Sequence, residues 1–194
     1  MAVSKKRKKF FNVEMPLIRK ETQVQAYELE SIDGKFIKYD LTRMLRGKSV
    51  ILQMQIKVNG KEAIAIPKQI QVLPYYLRRM MRKGTNYVED SFSAMSKDSQ
   101  LRIKPFLITR RKVSRAVRKA LRNKAREEII DYLKTKESEE IFEDILKNNL
   151  QKYLSLKLKK IYPLSLCEIK SIKVEKMLDK EKSEKEETKT SEKE

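Results

Sequence analysis

Histidine and tryptophan are absent from this chain of 194 residues, and cysteine occurs once, as Cys167. Without histidine the chain has no imidazole general base, no histidine-containing catalytic triad and no histidine ligand for a metal. A single cysteine forms neither an internal disulfide nor a cysteine cluster, and it suits a reducing compartment such as the cytosol. Catalysis would therefore have to rely on Asp, Glu, Lys, Tyr or Ser.

Long apolar runs and glycine are also scarce. No segment approaches the stretch of about 18 apolar residues that a membrane span needs, and the most apolar run, residues 49–58, has polar residues interleaved. The first apolar residues do not form the long hydrophobic region of a signal peptide. The 4 glycines are too few for the loops that cradle phosphates. We therefore expect a cytoplasmic protein without a membrane segment.

Positive charge is the dominant feature of the composition. The chain has 46 Lys and Arg against 27 Asp and Glu, which gives a formal net charge of +19. Residues 175–194 contain 6 Lys and 8 acidic residues, so residues 1–174 carry +21. The tail, residues 179–194, has no apolar residue and is expected to be disordered. A body with this charge predicts a polyanionic partner.

The basic residues concentrate in three segments. An N-terminal arm, residues 1–11, is expected to be extended because its like charges repel, and it contains Lys5, Lys6, Arg7, Lys8 and Lys9. A second set follows Tyr75 and Tyr76 and consists of Arg78, Arg79, Arg82 and Lys83. The longest segment, residues 102–126, contains eleven basic and no acidic residues, namely Arg102, Lys104, Arg110, Arg111, Lys112, Arg115, Arg118, Lys119, Arg122, Lys124 and Arg126.

The acid-free segment favours nucleic acid as the polyanion. An ordinary helix surface mixes both signs, because like charges three or four residues apart destabilise a helix by a few tenths of a kcal/mol. Arg outnumbers Lys seven to four here, and guanidinium groups suit bidentate phosphate contacts and stacking on bases. We expect these cations to be unopposed, and all the basic residues of the three segments except Lys124 are candidate RNA-binding residues. Tyr75 and Tyr76 would either stack on unpaired bases or pack the start of a helix onto the sheet.

Two other functions compete with this interpretation. A basic amphipathic helix also suits an anionic membrane surface, but the apolar stripe here has Val, Leu, Ile and Ala without Trp or Phe, which is typical of core packing. A Mg²⁺-dependent nuclease would need paired carboxylates. No diagnostic spacing is found among the acidic residues on or beside predicted strands, Asp33, Asp40, Glu62, Glu89 and Asp90. We predict no enzymatic activity, no metal and no cofactor.

Apolar residues alternate with polar ones in much of the first half of the chain. Residues 24–31, 35–41 and 49–58 predict strands, with hairpin turns at Asp33-Gly34 and Asn59-Gly60 and a partner strand at 63–66. A short helix is expected over residues 74–83, because Pro lies at its start and Gly84 follows its basic end. Strand-like composition returns at residues 87–95 and 101–109.

In the second half of the chain, apolar residues recur with the period of an α-helix. Apolar residues recur every four positions from Val117 to Leu133, with Ser114 as the N-cap. Two further helical segments follow, from Ser138 and from Leu150, before a last strand at 164–174 whose alternation breaks between Ile169 and Ile172. The pattern predicts an α+β fold with a curved antiparallel sheet or small β-barrel, helices packed beside it, and one closing C-terminal strand. Residues 12–178 are expected to form a single domain.

Four stretches of the sequence also occur in the same order as the motifs of a known protein family. They are Phe-Phe-Asn-Val-Glu-Met-Pro at 10–16, Tyr-Leu-Arg-Arg-Met-Met-Arg-Lys-Gly-Thr at 76–85, Leu-Arg-Ile-Lys-Pro from 101 with its basic continuation to Ser114, and Lys-Lys-Ile-Tyr-Pro-Leu at 159–164. Together they resemble the small-subunit ribosomal protein family of archaea and eukaryotes called eukaryotic S-one or S-three-A-e. The chain departs from the family pattern at Phe10, where Trp is common, and at Met15, which replaces Ala.

The resemblance implies a structural component of the small ribosomal subunit. It implies a position on the platform of the subunit, near the 3′ end of the ribosomal RNA and the site where mRNA exits. It also implies contacts with neighbouring small-subunit proteins. The residues by themselves leave open a second function, that of an extra-ribosomal nucleic-acid-binding protein such as an RNA chaperone or a chromatin protein.

Overall fold

A computed structural model describes residues 7–45, 47–60 and 62–177 of the chain. Lys5, Lys6 and the predicted tail lie outside these residues, and the division into arm, single domain and tail stays a prediction. The chain separates into two compact units, Met1–Ile70 and Gln71–Glu194. In the described part of the chain, no helix is both long enough and apolar enough to cross a membrane.

The described residues of the first unit form five strands, β1 (Lys9–Met15), β2 (Lys20–Ala26), β3 (Phe36–Asp40), β4 (Val50–Asn59) and β5 (Glu62–Val72), of which the last runs two residues into the second unit. β1 pairs antiparallel with β2, β3 antiparallel with β4, and β4 with β5, while β1 and β5 share a parallel bridge. On β4 the alternate residues Val50, Leu52, Met54 and Ile56 are all buried, which confirms the predicted period of two.

One of the two predicted hairpins is confirmed and the other is wrong. Gly60 has a φ of +64° in the short connection between the paired strands β4 and β5, as expected for an Asn-Gly turn. Gly34 also turns the chain, with a φ of +72°, but β3 pairs with β4 and not with the preceding strand. The predicted strand 24–31 ends at Ala26 and a 3₁₀ turn, Glu30–Ile32, follows. There Ser31 Oγ donates to the Glu28 carbonyl at 2.7 Å, a local bond that competes with strand pairing.

The described residues of the second unit form four helices and four strands. In chain order they are α1 (Pro74–Met80), β6 (Tyr87–Glu89), β7 (Phe92–Met95), β8 (Ser99–Thr109), α2 (Arg115–Lys134), α3 (Ser138–Leu146), α4 (Asn149–Leu158) and β9 (Leu164–Met177). β8 pairs antiparallel with β9 along one side and with β6 and then β7 along the other. The predicted strand 87–95 is therefore two strands, separated at Asp90, whose carboxylate accepts the Ser91 N–H at 2.9 Å.

The predicted α+β class is confirmed, with strands first, helices later and β9 as the closing strand. Among the described strands β2, β3 and β6 each pair on one side, so the sheet is open rather than a closed barrel. The broken alternation in β9 has a structural reason. Lys104 pairs with Ser171 and Pro105 with Ile169, so Lys170 is an extra residue, a bulge opposite a proline that has no N–H for the ladder.

Helix α2 is fixed by the residues that the four-residue period predicted. Leu121, Ala125, Ile129 and Leu133 are all buried, and the Ser114 hydroxyl accepts the Val117 N–H at 3.4 Å as the predicted N-cap. Leu121 and Ala125 share a buried cluster with Val88 of β6, Leu107 of β8 and Leu158 of α4. This packing sets which face of α2 remains in solvent.

Helix α3 is capped by a residue distant in the chain. Its own N-cap residue, Glu137, makes no side-chain cap bond. Instead Asp98, in the turn between β7 and β8, accepts the Ser138 N–H at 2.9 Å and the Ser138 hydroxyl. Ser96 in the same turn donates its hydroxyl to the Lys136 carbonyl at 2.6 Å. The turn thereby joins the sheet to the start of α3.

Asp144 of α3 joins the end of α2. The Tyr132 hydroxyl donates to the Asp144 carboxylate at 2.8 Å, and Lys136 forms an ion pair with the same carboxylate. Burial acts to raise the pKa of Asp144, but hydrogen bonds from Lys136, Asn149 and Tyr132 hold that pKa below its ordinary 3.8. The carboxylate therefore stabilises the fold fully above its unfolded pKa, and this contribution is lost as the pH falls below 3.8 through the folded pKa.

Replacing Asp144 by Asn should lower the free energy of unfolding at neutral pH by about 1–2 kcal/mol, because Lys136 and Tyr132 lose a partly buried partner. Urea denaturation between pH 7 and pH 3 measures this, and the variant should lose less stability on acidification than the parent. Asp131→Asn is the matched control, since that carboxylate is 72% exposed in its ion pair with Lys134 and should change little. Coincident pH profiles for the parent and Asp144→Asn would contradict the assignment.

Candidate nucleic-acid interface

The acid-free segment 102–126 does not form one surface. Side chains at successive positions of a strand point to opposite faces of the sheet. Leu107 of β8 lies in the same buried cluster as Leu121, on the face that α2 covers. Arg102 and Lys104, at positions of the other parity, therefore project from the opposite face, and both are exposed.

Two of the eleven cations are paired with carboxylates, so the expectation that all are unopposed is wrong for these two. Arg102 lies 3.2 Å from the carboxylate of Glu175 on β9. Hydrogen bonds from Ser93 and then from Arg102 hold the pKa of Glu175 below its ordinary value. Lys124 lies 3.3 Å from both Glu127 and Glu128, just beyond the segment. A count of acidic residues within the segment could not reveal these partners. Glu175 lies across the sheet, and Glu127 and Glu128 lie about one helical turn further along α2.

Four cations of α2 converge on a single cleft. The cleft has a volume of about 440 Å³ and is lined by Tyr87, Val88, Arg115, Arg118, Lys119, Arg122 and Asn123. The cations are spaced three or four residues apart, which places them on one side of the helix. No lining residue is acidic, and within the described ranges none of the four cations has an ion-pair partner. The cleft is therefore a concave site of unbalanced positive charge.

Arg118 has a donor that the fold leaves unsatisfied. Its side chain is partly buried, and its Nε is buried without a hydrogen-bond partner among the described residues. A buried donor without a partner costs about 1–3 kcal/mol. A phosphate oxygen that entered the cleft and accepted this N–H would remove the cost. Further along α2, Arg126 instead packs its guanidinium 5.3 Å from the centre of the buried Phe92 ring.

The triplet Arg110, Arg111 and Lys112 is exposed in the turn that leads into α2, and hydrogen bonds fix this turn. Asn86 accepts the Val113 N–H on its side-chain oxygen at 2.9 Å. The Thr109 hydroxyl donates to the Arg111 carbonyl at 2.7 Å. Sequence reasoning missed Asn86, because its role depends on the pairing of β6 with β8.

Asn86→Ala removes no charge but should weaken RNA binding by roughly three- to tenfold, because the turn that presents the triplet loses its acceptor. The free energy of unfolding should fall by about 1–2 kcal/mol. Asn149→Ala is the control, since its side chain donates to Asp144 at 2.9 Å far along the chain from the turn. Anisotropy titrations with ribosomal RNA fragments should show weaker binding for Asn86→Ala alone, and equal affinities for both variants would refute the role.

The comparison with protein families decides the identity of the chain. The model of the Ribosomal S3Ae family matches residues 4–177, which covers most of both compact units. The chain belongs to the ribosomal S3Ae family. The resemblance drawn from the four sequence stretches is thereby confirmed.

Archaeal relatives of this S3Ae-family chain carry the name small ribosomal subunit protein eS1. The protein of Nanoarchaeum equitans is 28% identical over 167 residues, covering 81% of this chain and 84% of the relative. Those of Pyrobaculum aerophilum and Pyrobaculum islandicum are 30% and 34% identical, and each alignment covers 70% of this chain and 62% of the relative. The chain therefore aligns with about three fifths of the length of these two Pyrobaculum proteins.

The second basic set of this S3Ae-family member lies on α1 and the loop after it, where Arg78, Arg79, Arg82 and Lys83 are all exposed. Tyr76 is buried, and Arg79 lies 5.6 Å from the centre of its ring. Burial, and then the charge of Glu168, raise the pKa of the Tyr76 hydroxyl. Of the two interpretations left open for the tyrosines, core packing therefore holds for Tyr76. Tyr75 is half exposed.

The N-terminal arm of the family member is described from Arg7 onward. Arg7 and Lys8 precede β1 without regular secondary structure, and Lys9 is the first residue of that strand. All three side chains are exposed, and Lys8 Nζ lies 5.6 Å from the centre of the Tyr27 ring. The arm belongs to the first unit, whereas the cleft belongs to the second.

The carboxylates considered for a metal site have structural partners in the fold. Asp33 accepts the Val58 N–H at 3.1 Å, Asp40 accepts the Thr42 N–H at 2.8 Å, and Glu89 lies 3.2 Å from Lys170. Glu62 is exposed at the start of β5. Within the described ranges, no three acidic or cysteine side chains come together as metal ligands would. The geometry of these carboxylates is that of turns and ion pairs.

Proposed function

We propose that this S3Ae-family chain is a structural component of the small ribosomal subunit, without enzymatic activity, that binds ribosomal RNA and supports translation. Its partners would be ribosomal RNA, neighbouring small-subunit proteins and mRNA near its exit site, and its location the cytoplasmic ribosome. The cleft lined by Arg115, Arg118, Lys119 and Arg122 carries the RNA-binding part of the proposal.

The mechanism is phosphate neutralisation by cations that the fold has already positioned. α2 is held by its buried stripe, and the turn before it by Asn86, so the backbone that carries these cations loses little conformational freedom on binding RNA. Each phosphate that a cation neutralises releases condensed counterions, which makes affinity fall steeply with salt. Contacts of this kind follow the shape of the RNA backbone rather than its sequence.

The remaining predicted RNA-binding residues would act as outlying contacts. The set on α1 and its loop, the triplet before α2, and Lys104 offer exposed charge for further phosphates. Arg102 is held by Glu175 and should contribute less. The arm, Lys5 to Lys9, is proposed to order on binding, as basic segments commonly do on RNA.

Co-sedimentation with ribosomal subunits tests the proposal. The full chain should travel with the small subunit at moderate salt and dissociate as the salt is raised. A competition assay with folded ribosomal RNA and duplex DNA separates a ribosomal role from a general nucleic-acid role. A chain that stays at the top of the gradient while other ribosomal proteins sediment would overturn the proposal.

A further inference from the structure

The hairpin formed by β1 and β2 carries two exposed aromatic rings on its outer face. Residues alternate between the two faces of a strand, and on β1 the buried residues are Val13 and Met15. The β1 residues of the other parity therefore point outward, as do their pairing partners on β2, and they are exposed. The part of this surface away from the turn is called the hairpin face, and it consists of Lys8, Phe10, Asn12, Gln23, Gln25 and Tyr27.

The two rings of the hairpin face are close enough to act together. Phe10 is 63% exposed and Tyr27 is 50% exposed. Phe10 pairs with Gln25, so Tyr27, two residues further along, is its diagonal neighbour. Diagonal neighbours on paired strands lie about 7–8 Å apart, within reach of aromatic side chains. Exposed apolar side chains that cluster in this way, unlike those that occur singly, are typical of a surface that binds a partner.

The charge around the rings favours an anionic partner. Lys8 Nζ lies 5.6 Å from the centre of the Tyr27 ring, and Arg7 and Lys9 are exposed beside it. Residues 1–13 contain five basic and no acidic residues. The other side chains of the hairpin face are neutral amides, which both donate and accept hydrogen bonds. Rings, amides and cations together match the base, the base edge and the phosphate of a nucleotide.

Acidic residues limit how much of an anion the hairpin face accommodates. Glu14 pairs with Glu21 at the turn end, about 13 Å along the strand from Phe10. Glu28 follows Tyr27 and is also exposed. A duplex along the hairpin would bring phosphates against the paired carboxylates and would keep its bases stacked away from the rings. A single strand that crosses the hairpin face meets the rings and the cations instead.

We propose that the hairpin face binds an unpaired segment of ribosomal RNA, with one base stacked on Phe10, the next against Tyr27, and phosphates on Arg7 and Lys8. Stacking of this kind accepts any base, because every base has a flat π face. The inference rests on the proposed function and adds to it an RNA surface of different chemistry on the first unit, whereas the cleft belongs to the second. An apolar protein surface would cover the rings but leave the cations without anions.

A fluorescence titration tests the inference at the site itself. The chain has no tryptophan, so Phe10→Trp introduces a single indole on the hairpin face. Bases stack on aromatic side chains, and a stacked base quenches indole fluorescence. A single-stranded RNA oligonucleotide should therefore quench the full-length variant. An oligonucleotide of equal length built of abasic residues presents the same phosphates and should leave the fluorescence unchanged, as should a duplex.

Further variants separate this site from general charge and from exposed rings. In the Phe10→Trp chain, Tyr27→Ala should weaken the apparent affinity for the single strand by roughly five- to tenfold, and Lys8→Gln by roughly two- to fivefold. Lys57→Gln removes an equal charge from an exposed position of β4 and should change it by no more than about twofold. Phe36→Trp is the matched ring control, since Phe36 is 57% exposed on β3, and it should not be quenched.

Ultraviolet crosslinking gives a readout on the unmodified chain. In small subunits purified without mRNA, the peptide that contains Phe10 should become attached to ribosomal RNA. Attachment that requires added mRNA would assign the hairpin face to mRNA. Chemical crosslinks from Lys8 to a neighbouring protein, with no RNA attached to this peptide, would assign it to a protein. Either of these last two results would overturn the inference.

The outcomes distinguish the hairpin face from the proposed function. Equal quenching of Phe10→Trp by the abasic and the base-containing oligonucleotides would overturn the stacking site, and so would equal quenching of Phe36→Trp. A parent chain that sediments with small subunits would in either case retain its proposed function. Failure of the parent chain to bind any probe, together with failure to sediment with small subunits, would overturn the proposed function as well.

Discussion

Replacing Arg115, Arg118 and Arg122 together by Gln should reduce the affinity for ribosomal RNA by roughly 10²- to 10³-fold at about 0.1 M salt. These three residues line one cleft, and none has a carboxylate partner in the described ranges. Each phosphate contact contributes about 0.7–0.9 to the slope of log affinity against log salt. The slope should therefore become shallower by roughly two to three, which anisotropy titrations between low and moderate salt measure directly.

The same triple variant should fold at least as well as the parent. Like charges three or four residues apart destabilise a helix by a few tenths of a kcal/mol per pair, so their removal relieves α2. The matched control neutralises Lys134, Lys147 and Lys157, which changes net charge equally but removes cations that already lie in ion pairs. If the control flattened the salt slope as much as the triple arginine variant, net charge and not the cleft would carry the binding.

Leu121→Ala should lower the free energy of unfolding by about 2–5 kcal/mol, the range typical of truncating a buried leucine. Leu121 is fully buried and shares its cluster with Val88, Leu107, Ala125 and Leu158. Truncation leaves a cavity where the helix meets the sheet, and urea denaturation monitored by circular dichroism measures its cost. RNA affinity should fall as well, because α2 is the element that presents the cleft cations.

Leu156→Ala provides the comparison for this effect. Leu156 is also a helical leucine, on α4, but it is 71% exposed, and its truncation should change the free energy of unfolding by no more than about 0.5 kcal/mol. A cost for Leu121→Ala as small as that of Leu156→Ala would mean that α2 does not depend on this cluster. If Leu121→Ala lowered the free energy of unfolding strongly but left RNA affinity unchanged, RNA binding would not depend on the packing of α2.

Elements with one repeated period were predictable from the sequence. β4 and α2 each bury one face, so the spacing of their apolar residues determines both the type of element and its orientation. The N-cap of α2 was predictable for the same local reason, since Ser114 bonds a residue three positions away. The family resemblance was also available at this level, because its stretches are contiguous.

Features that depend on pairing between distant segments could not be predicted. Arg102 meets Glu175 only because β8 pairs with β9, and α3 receives its cap from Asp98 only because the turn after β7 reaches it. The division of the basic segment onto two sheet faces follows from the position of α2 and not from the order of charges. The stacking of the Tyr87 ring on Phe106, with centroids 5.9 Å apart, likewise depends on the register between β6 and β8.

The interruption between β6 and β7 at the edge of the sheet affects how readily copies of the chain associate with one another. β6 has 3 residues and β7 has 4, and Asp90 lies between them. A long unbroken edge is a template on which further copies add strand by strand, whereas short edges flanked by charge resist this. The cations beside β6 would also repel those of a second copy. The edge formed by β6 and β7 should therefore resist the addition of a strand from a second copy of the chain.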